Sequence, residues 1–172
     1  MNLQIITGSV RKEALGNSVA KWAMNVVGKI EHIDAELLDL RAYNLLLSLE
    51  HNNDTAKWNE KIAQADAYIL ITPEYNHGYP AALKNALDHS KAWDGKPVLL
   101  MGYSVGSAAG IRAVEQLRPV VSELGMIQLK HALQIPAAQD TLAGDSELKQ
   151  QLSESLLRSV NDLHELATKL SR

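Results

Sequence analysis

Apolar residues along this chain gather into short unbroken runs separated by helical stripes. Four runs read as buried strands: Leu3–Thr7, Ala35–Leu40, Ala67–Thr72 and Pro97–Tyr103. They do not alternate strictly with polar residues, which suits parallel strands covered on both faces. A fifth, weaker run lies around Met126–Ile135, with Lys130 and His131 inside it. Between the runs the spacing changes to that of a helix. Val19, Trp22, Ala23, Val26, Val27 and Ile30 form one face, and Trp58, Ile62 and Ala65 a weaker one. Pro80–His89 opens on a proline, whose missing N–H suits a first helical turn. Ile111, Val114, Leu117, Val121 and Leu124 make a further face, in which Pro119 is expected to kink or break the helix. Leu148, Leu152, Leu156, Val160, Leu163, Ala167 and Leu170 mark a long final helix with Asp145 as its expected N-cap. Its leucine stripe reads as core, with a subunit-facing surface as the alternative. Strand alternates with helix five times, which predicts a doubly wound α/β sandwich. Among the topologies that right-handed crossovers allow, the five-stranded order 2-1-3-4-5 is preferred.

Length and composition narrow the class without changing that picture. With 172 residues the chain suits one domain, 1–172, and neither a repeat nor a linker divides it. The stretch Arg41–Thr55 is long and irregular, and reads as a mobile or interface loop. At 46% hydrophobic and 22% charged the composition is globular. Seventeen basic and 20 acidic residues leave a net charge of −3, which makes no electrostatic case for nucleic acid or an anionic membrane. The N-terminal segment reads as a strand and not as a signal peptide, no run approaches a bilayer span, and cytoplasm is the expected compartment. There is no cysteine, so thiolate nucleophiles, disulfides and zinc–thiolate sites are excluded. The six histidines show no metal spacing, and no metal site is expected.

Three polar turns follow the first, third and fourth predicted strands, where open α/β sheets bind ligands. Gly8-Ser9-Val10-Arg11 through Gly16-Asn17-Ser18 leads from the first strand into a helix. Free N–H groups at a helix start, two hydroxyls and a guanidinium fork together suit a phosphate. Neither G-x-G-x-x-G nor a Walker loop is present. Thr72-Pro73-Glu74-Tyr75-Asn76-His77-Gly78-Tyr79-Pro80 is stiffened by its prolines, and its tyrosines can cover a flat ligand. Glu74 has no partner nearby in sequence and reads as a turn anchor more than as a catalytic acid. Gly102-Tyr103-Ser104-Val105-Gly106 matches the G-x-S-x-G nucleophile elbow of a serine hydrolase in strand–turn–helix context. Against it stand the absence of an upstream H-G-G-G loop, a sheet too small for that fold, and the poor placement of His131 and His164 after Ser104. The alternative is that Ser104 and Gly106 form a third ligand loop at the same sheet edge.

Pro73-Glu74-Tyr75-Asn76, with Pro80 and Leu83-Lys84-Asn85-Ala86-Leu87-Asp88, resembles the signature of the NAD(P)H-dependent FMN reductase family, in the flavodoxin-like superfamily. Gly8-Ser9-x-Arg11 before Gly16-Asn17 resembles that family's phosphate loop, and Tyr103–Gly110 its third loop. The resemblance implies a flavodoxin-like three-layer sandwich with FMN at its switch point. Ser9, Arg11, Asn17 and Ser18 would hold the phosphate; Pro73, Glu74, Tyr75 and Asn76 would line the isoalloxazine; Ser104 and Gly106 would close the far side. No catalytic residue is expected, because the flavin supplies the chemistry. NADPH or NADH would reduce the flavin, and a quinone, azo compound, chromate or free flavin would then take the electrons by ping-pong turnover. A homodimer or homotetramer is implied, with Arg41–Thr55 and Arg112 as expected contacts. A flavodoxin-type electron carrier is the other alternative; those are strongly acidic for docking, and −3 speaks against one.

Overall fold

A computed structural model describes residues 1–12 and 15–171. Glu13 and Ala14, within the run read as a phosphate loop, and Arg172 lie outside the described residues. The elements are β1 (Asn2–Thr7), α1 (Leu15–Val27), β2 (Asp34–Asp39), a 3₁₀ turn (Leu40–Ala42), α2 (Asn53–Gln64), β3 (Ala67–Pro73), α3 (Ala81–Asp88), β4 (Pro97–Tyr103), α4 (Ile111–Glu123), β5 (Ile127–Gln128), β6 (Leu133–Ile135), α5 (Ala138–Ala143) and α6 (Glu147–Leu170).

The strands order β2-β1-β3-β4-β5, all parallel, with β6 also paired to β4. The anticipated fifth strand is thus two short pieces along one edge. Pro97 and Val98 pair with Ile127 and Gln128, while Met101–Tyr103 pair with Leu133–Ile135. Between them the chain leaves the ladder, and Lys130 and His131 are exposed. A strand covered on both faces would bury that lysine at a large desolvation cost, and an edge tolerates an excursion that releases it.

Every residue of β3 and β4 is buried. Ile69, Ile71, Leu99 and Met101 pack under α1, α5 and α6, with Leu152, Leu156, Val160 and Leu163 of α6 in the same core. Tyr68, Leu70, Val98 and Leu100 pack under α2, α3 and α4 with Trp58 and Trp93. The polar ends of these aromatics are satisfied: Trp58 Nε1 donates to Ala86 O (2.9 Å), Trp93 Nε1 to Leu87 O (2.9 Å) and Tyr68 Oη to Ile62 O (2.6 Å).

Local expectations are corrected at several points. α4 runs unbroken through Pro119. Val114, Leu117 and Val121 hold one face of that helix on the sheet, while Pro119 sits on the exposed side, where water can serve the freed carbonyl. The N-cap of α6 is Ser146, whose Oγ accepts from Lys149 N–H (3.1 Å), and not Asp145, which pairs with Lys149 Nζ at 3.6 Å. Pro80 is the N-cap of α3 rather than its first residue. The stretch after Arg41 is pinned: Asn85 Nδ2 donates to Leu45 O (2.9 Å), His89 Nε2 meets Leu46 O (2.8 Å) and Asn52 Nδ2 donates to Asn44 O (2.8 Å). Asn52 Oδ1 also caps α2, which therefore begins inside that stretch.

Candidate functional site

The loops after β1, β3 and β4 leave the sheet at its carboxyl edge and are tied to one another. Gly8 extends the ladder by one bond, N–H to Ile71 O at 2.8 Å. A Cβ there would press on Leu83 Cδ2 and Ile71 O, at 3.0 and 3.2 Å, so a small residue lets the loop lie against α3. Ser9 is buried, and its Oγ lies 2.7 Å from Tyr75 Oη. The guanidinium of Arg11 stands 5.9 Å from the centre of the Tyr75 ring. Ser9, Arg11 and Tyr75 thus meet beside the N-terminal end of α1, whose dipole favours an anion.

The β3 loop is a tight two-residue turn. Tyr75 and Gly78 exchange both backbone hydrogen bonds, at 2.8 and 2.9 Å, around Asn76 (φ 49) and His77 (φ 68). Two left-handed residues in a row make the primed turn that suits a right-twisted hairpin. α4 holds this turn in place. Gln116 Nε2 donates to His77 O (2.8 Å), and the Arg112 guanidinium and backbone N–H both donate to the Glu74 carboxylate. That carboxylate is held below its ordinary range, first by the Arg112 hydrogen bond. The side chain of Glu74 is 7% exposed.

The β4 loop is closed by its own groups. Ser104 Oγ donates to Gly106 O (2.7 Å); Ala137 N–H donates to Gly106 O and Ala138 N–H to Ser104 O, both at 2.9 Å. The positive-φ non-glycine residue here is Ala109 and not Ser104, so the strained serine of a nucleophile elbow is absent. The bond to Gly106 O occupies the proton of the Ser104 hydroxyl. Gly110 (φ 73) passes so close to β4 that a Cβ would lie 2.7 Å from Tyr103 N. Tyr103 Oη accepts from the Gly16 N–H of α1, and burial pushes the phenol's pKa up. A Cβ on Gly16 would overlap that oxygen.

The ten sequence-derived positions therefore fall into groups. Ser9, Arg11 and Tyr75 are together, with the Tyr75 hydroxyl at the first loop and its backbone in the turn after β3. Pro73 is the buried last residue of β3, and Glu74 is a structural anchor to α4. Asn76 forms the turn, and Ser104 and Gly106 form the third loop. Asn17 is in the first turn of α1, where Nδ2 donates to Lys12 O (3.2 Å) and Oδ1 accepts from Arg41 (3.2 Å). Ser18, also in the first turn of α1, lines a groove of about 850 Å³ between α1 and α5–α6, alongside Trp22, Leu142 and Lys149. Sequence reasoning missed Tyr103 and Arg41 as site-forming residues and placed Arg112 at a subunit contact. Tyr103 stood at a legible strand end; for the two arginines no local signal exists.

Residues 1–140 match the family described as NADPH-dependent FMN reductase. An NAD(P)H-dependent FMN reductase of Schizosaccharomyces pombe is 36% identical over 145 residues, covering 77% of this chain and 70% of its own. A quinone reductase of Pseudomonas putida is 31% identical over 133 residues, covering 73% of this chain and 72% of its own. Among solved structures, the flavoenzyme NAD(P)H:(acceptor) oxidoreductase FerB of Paracoccus denitrificans superposes with a TM-score of 0.80 over 98% of this chain and 97% of that one. At 23% identity that likeness speaks for the fold, which is flavodoxin-like in its strand order.

Proposed function

The chain belongs to the NADPH-dependent FMN reductase family, and on that premise we propose that it passes electrons from NAD(P)H to a quinone by ping-pong turnover. It is an oxidoreductase that uses FMN with a nicotinamide cofactor. The observation that carries the site assignment is the meeting of Ser9, Tyr75 and Arg11 beside the start of α1. Two hydroxyls, a permanent cation and a helix dipole make a donor set suited to a phosphate monoester. The close approaches of Gly8 to α3 and of Gly110 to β4 hold the first and third loops in place at the sheet edge.

The hydride-accepting and electron-releasing chemistry would be supplied by FMN when bound. The residues position and do not exchange protons. Ser9, Arg11 and the start of α1 hold the phosphate; Pro73 and the Tyr75–Gly78 turn form the wall of the ring site; Ser104 and Gly106 form the opposite wall. Glu74 stays ionised on Arg112 and keeps the turn against α4. A quinone is the favoured acceptor because relatives such as that of Pseudomonas putida bear that name. A second copy of the chain is proposed to pack near this edge, where Leu47 (85% exposed) and Val105 (75% exposed) stand out from anchored loops.

The test begins with the purified protein, loaded with FMN if it is colourless, and NADH or NADPH added under anaerobic conditions. Bleaching of the flavin band and its return with a quinone are expected, with parallel double-reciprocal plots. Protein that cannot be loaded with FMN would sink the assignment; intersecting plots would remove the ping-pong scheme. Arg11→Ala is expected to weaken FMN binding about tenfold or more, the scale of one lost charged contact.

A further inference from the structure

Arg41 stands in the 3₁₀ turn after β2, outside the three loops, yet its guanidinium reaches the phosphate loop. One terminal nitrogen donates to Lys12 O (3.4 Å) and the other to Asn17 Oδ1 (3.2 Å). Nε donates to both oxygens of Asp39, each at 2.9 Å, and a terminal nitrogen also meets that carboxylate. Asp39 in turn accepts from the Arg41 backbone N–H (2.9 Å), so the carboxylate caps the turn and aims the fork in one contact set. Its pKa is lowered, first by the Arg41 side chain. Asn17 Nδ2 donates to the same Lys12 carbonyl at 3.2 Å. The Lys12 oxygen therefore has two donors, and both ends of the Asn17 amide are engaged.

A main-chain anion site works only if its carbonyl dipoles are kept off the anion. With its oxygen held by Arg41 and Asn17, Lys12 does not present that oxygen to an anion bound at Ser9 and Arg11. The Arg41 charge is matched by Asp39, so its part is geometric. We propose that Arg41, oriented by Asp39, is a positioning residue for the FMN phosphate: it holds the Lys12 carbonyl and the Asn17 amide so that the loop offers donors to the anion. In this arrangement Asn17 braces the Lys12 carbonyl from the first turn of α1. This inference rests on the FMN reading above.

The experiment compares dissociation constants of FMN and riboflavin for the full-length apoprotein by flavin fluorescence quenching. The variants are Arg41→Ala, Arg41→Lys and Asp39→Asn, each checked for a cooperative thermal melt. Riboflavin has the same ring and no phosphate, so a general loosening of the fold would affect both ligands. Arg41→Ala is expected to weaken FMN about tenfold, ~1.4 kcal/mol, and to leave riboflavin unchanged. Arg41→Lys restores part of the loss, because an ammonium cannot span both acceptors as a fork. Asp39→Asn weakens FMN in the same direction, because the fork loses its anchor. Three results would overturn the proposal: unchanged FMN affinity in Arg41→Ala, equal losses for FMN and riboflavin, or tighter FMN binding in Asp39→Asn, which would make Arg41 a direct charge on the phosphate. A parent protein that binds neither flavin overturns the FMN reading and this inference with it, and that result is visible before any variant is made.

Discussion

His77 carries φ 68 in a turn whose two central residues are both left-handed. Asparagine and histidine are the non-glycine residues found there most often, but each still carries a Cβ penalty of about 1 kcal/mol that glycine does not. The His77 carbonyl anchors the turn through Gln116, and its imidazole adds only a minor electrostatic effect on Glu74. His77→Gly is therefore expected to raise stability by about 1 kcal/mol, a rise of about 2–4 °C in melting temperature. An unchanged or lower midpoint would show that the imidazole makes a contribution larger than the strain. Glu74 illustrates the opposite case, a residue whose side chain sets the loop. Its carboxyl titrates below its ordinary 4.5 because Arg112 donates to it. Its stabilising contribution is thus present in full above pH 4.5 and is lost as the pH falls below that value through the lowered folded pKa. Glu74→Gln should be less stable than the parent at pH 7, and the gap should close on acidification. A gap independent of pH would mean that the carboxylate charge does not matter. The sequence already suggested an anchor at Glu74, but its partner lies 38 residues away on another element.

Among the elements, α2 shows how a helix end is closed without a glycine. Lys96, just before β4, sends Nζ to Ile62 O (2.8 Å) and Ala63 O (3.0 Å), where the last carbonyls of α2 carry its negative dipole end. Burial lowers the Lys96 pKa, yet the carbonyls keep it useful as a donor. Lys96→Met should lose about 1–2 kcal/mol, read as a lower urea midpoint at unchanged m value. A change in m instead would point to a less compact native state. At the other side of the sheet, Gly16 and Tyr103 fasten α1 to β4. Gly16→Ala should weaken FMN binding and lower the melting temperature, because the new methyl overlaps Tyr103 Oη. Tyr103→Phe in the same chain removes the obstructing oxygen and should recover part of both losses. Failure of that rescue would place the damage in α1 itself. The element pattern was largely legible: four strands and the α6 stripe follow directly from apolar runs and heptad-like spacing. The break in the edge strand and the intact α4 were not legible, because edge position and solvent exposure of Pro119 depend on neighbours.

For the molecule as a whole, the parallel sheet brings three strand ends together and so creates the only kind of place where distant loops can share one ligand. Among the described residues no helix is long and apolar enough to cross a membrane. The second-copy contact proposed above predicts that the parent protein has at least a dimer's mass by light scattering at micromolar concentration. Leu47→Asp should shift it towards the monomer; a monomeric parent would refute the contact.

Apolar runs and their spacing determined the sheet, the helices and the order in which they follow, because burial on one or two faces imposes a local period that a sequence must carry. Glycine, proline and polar clusters after three of the runs also located the ligand edge, and the motifs there carried the family. Tertiary structure alone decided which side chains act together. Ser9 meets Tyr75 across 66 positions and Arg41 meets Asn17 across 24, and Tyr103 meets the Gly16 amide from another strand. Such pairs follow from strand order and helix docking, so no local period encodes them. For that reason the Tyr75 hydroxyl at Ser9 and the Asn17 amide between Lys12 and Arg41 are contacts that no motif in the sequence indicated.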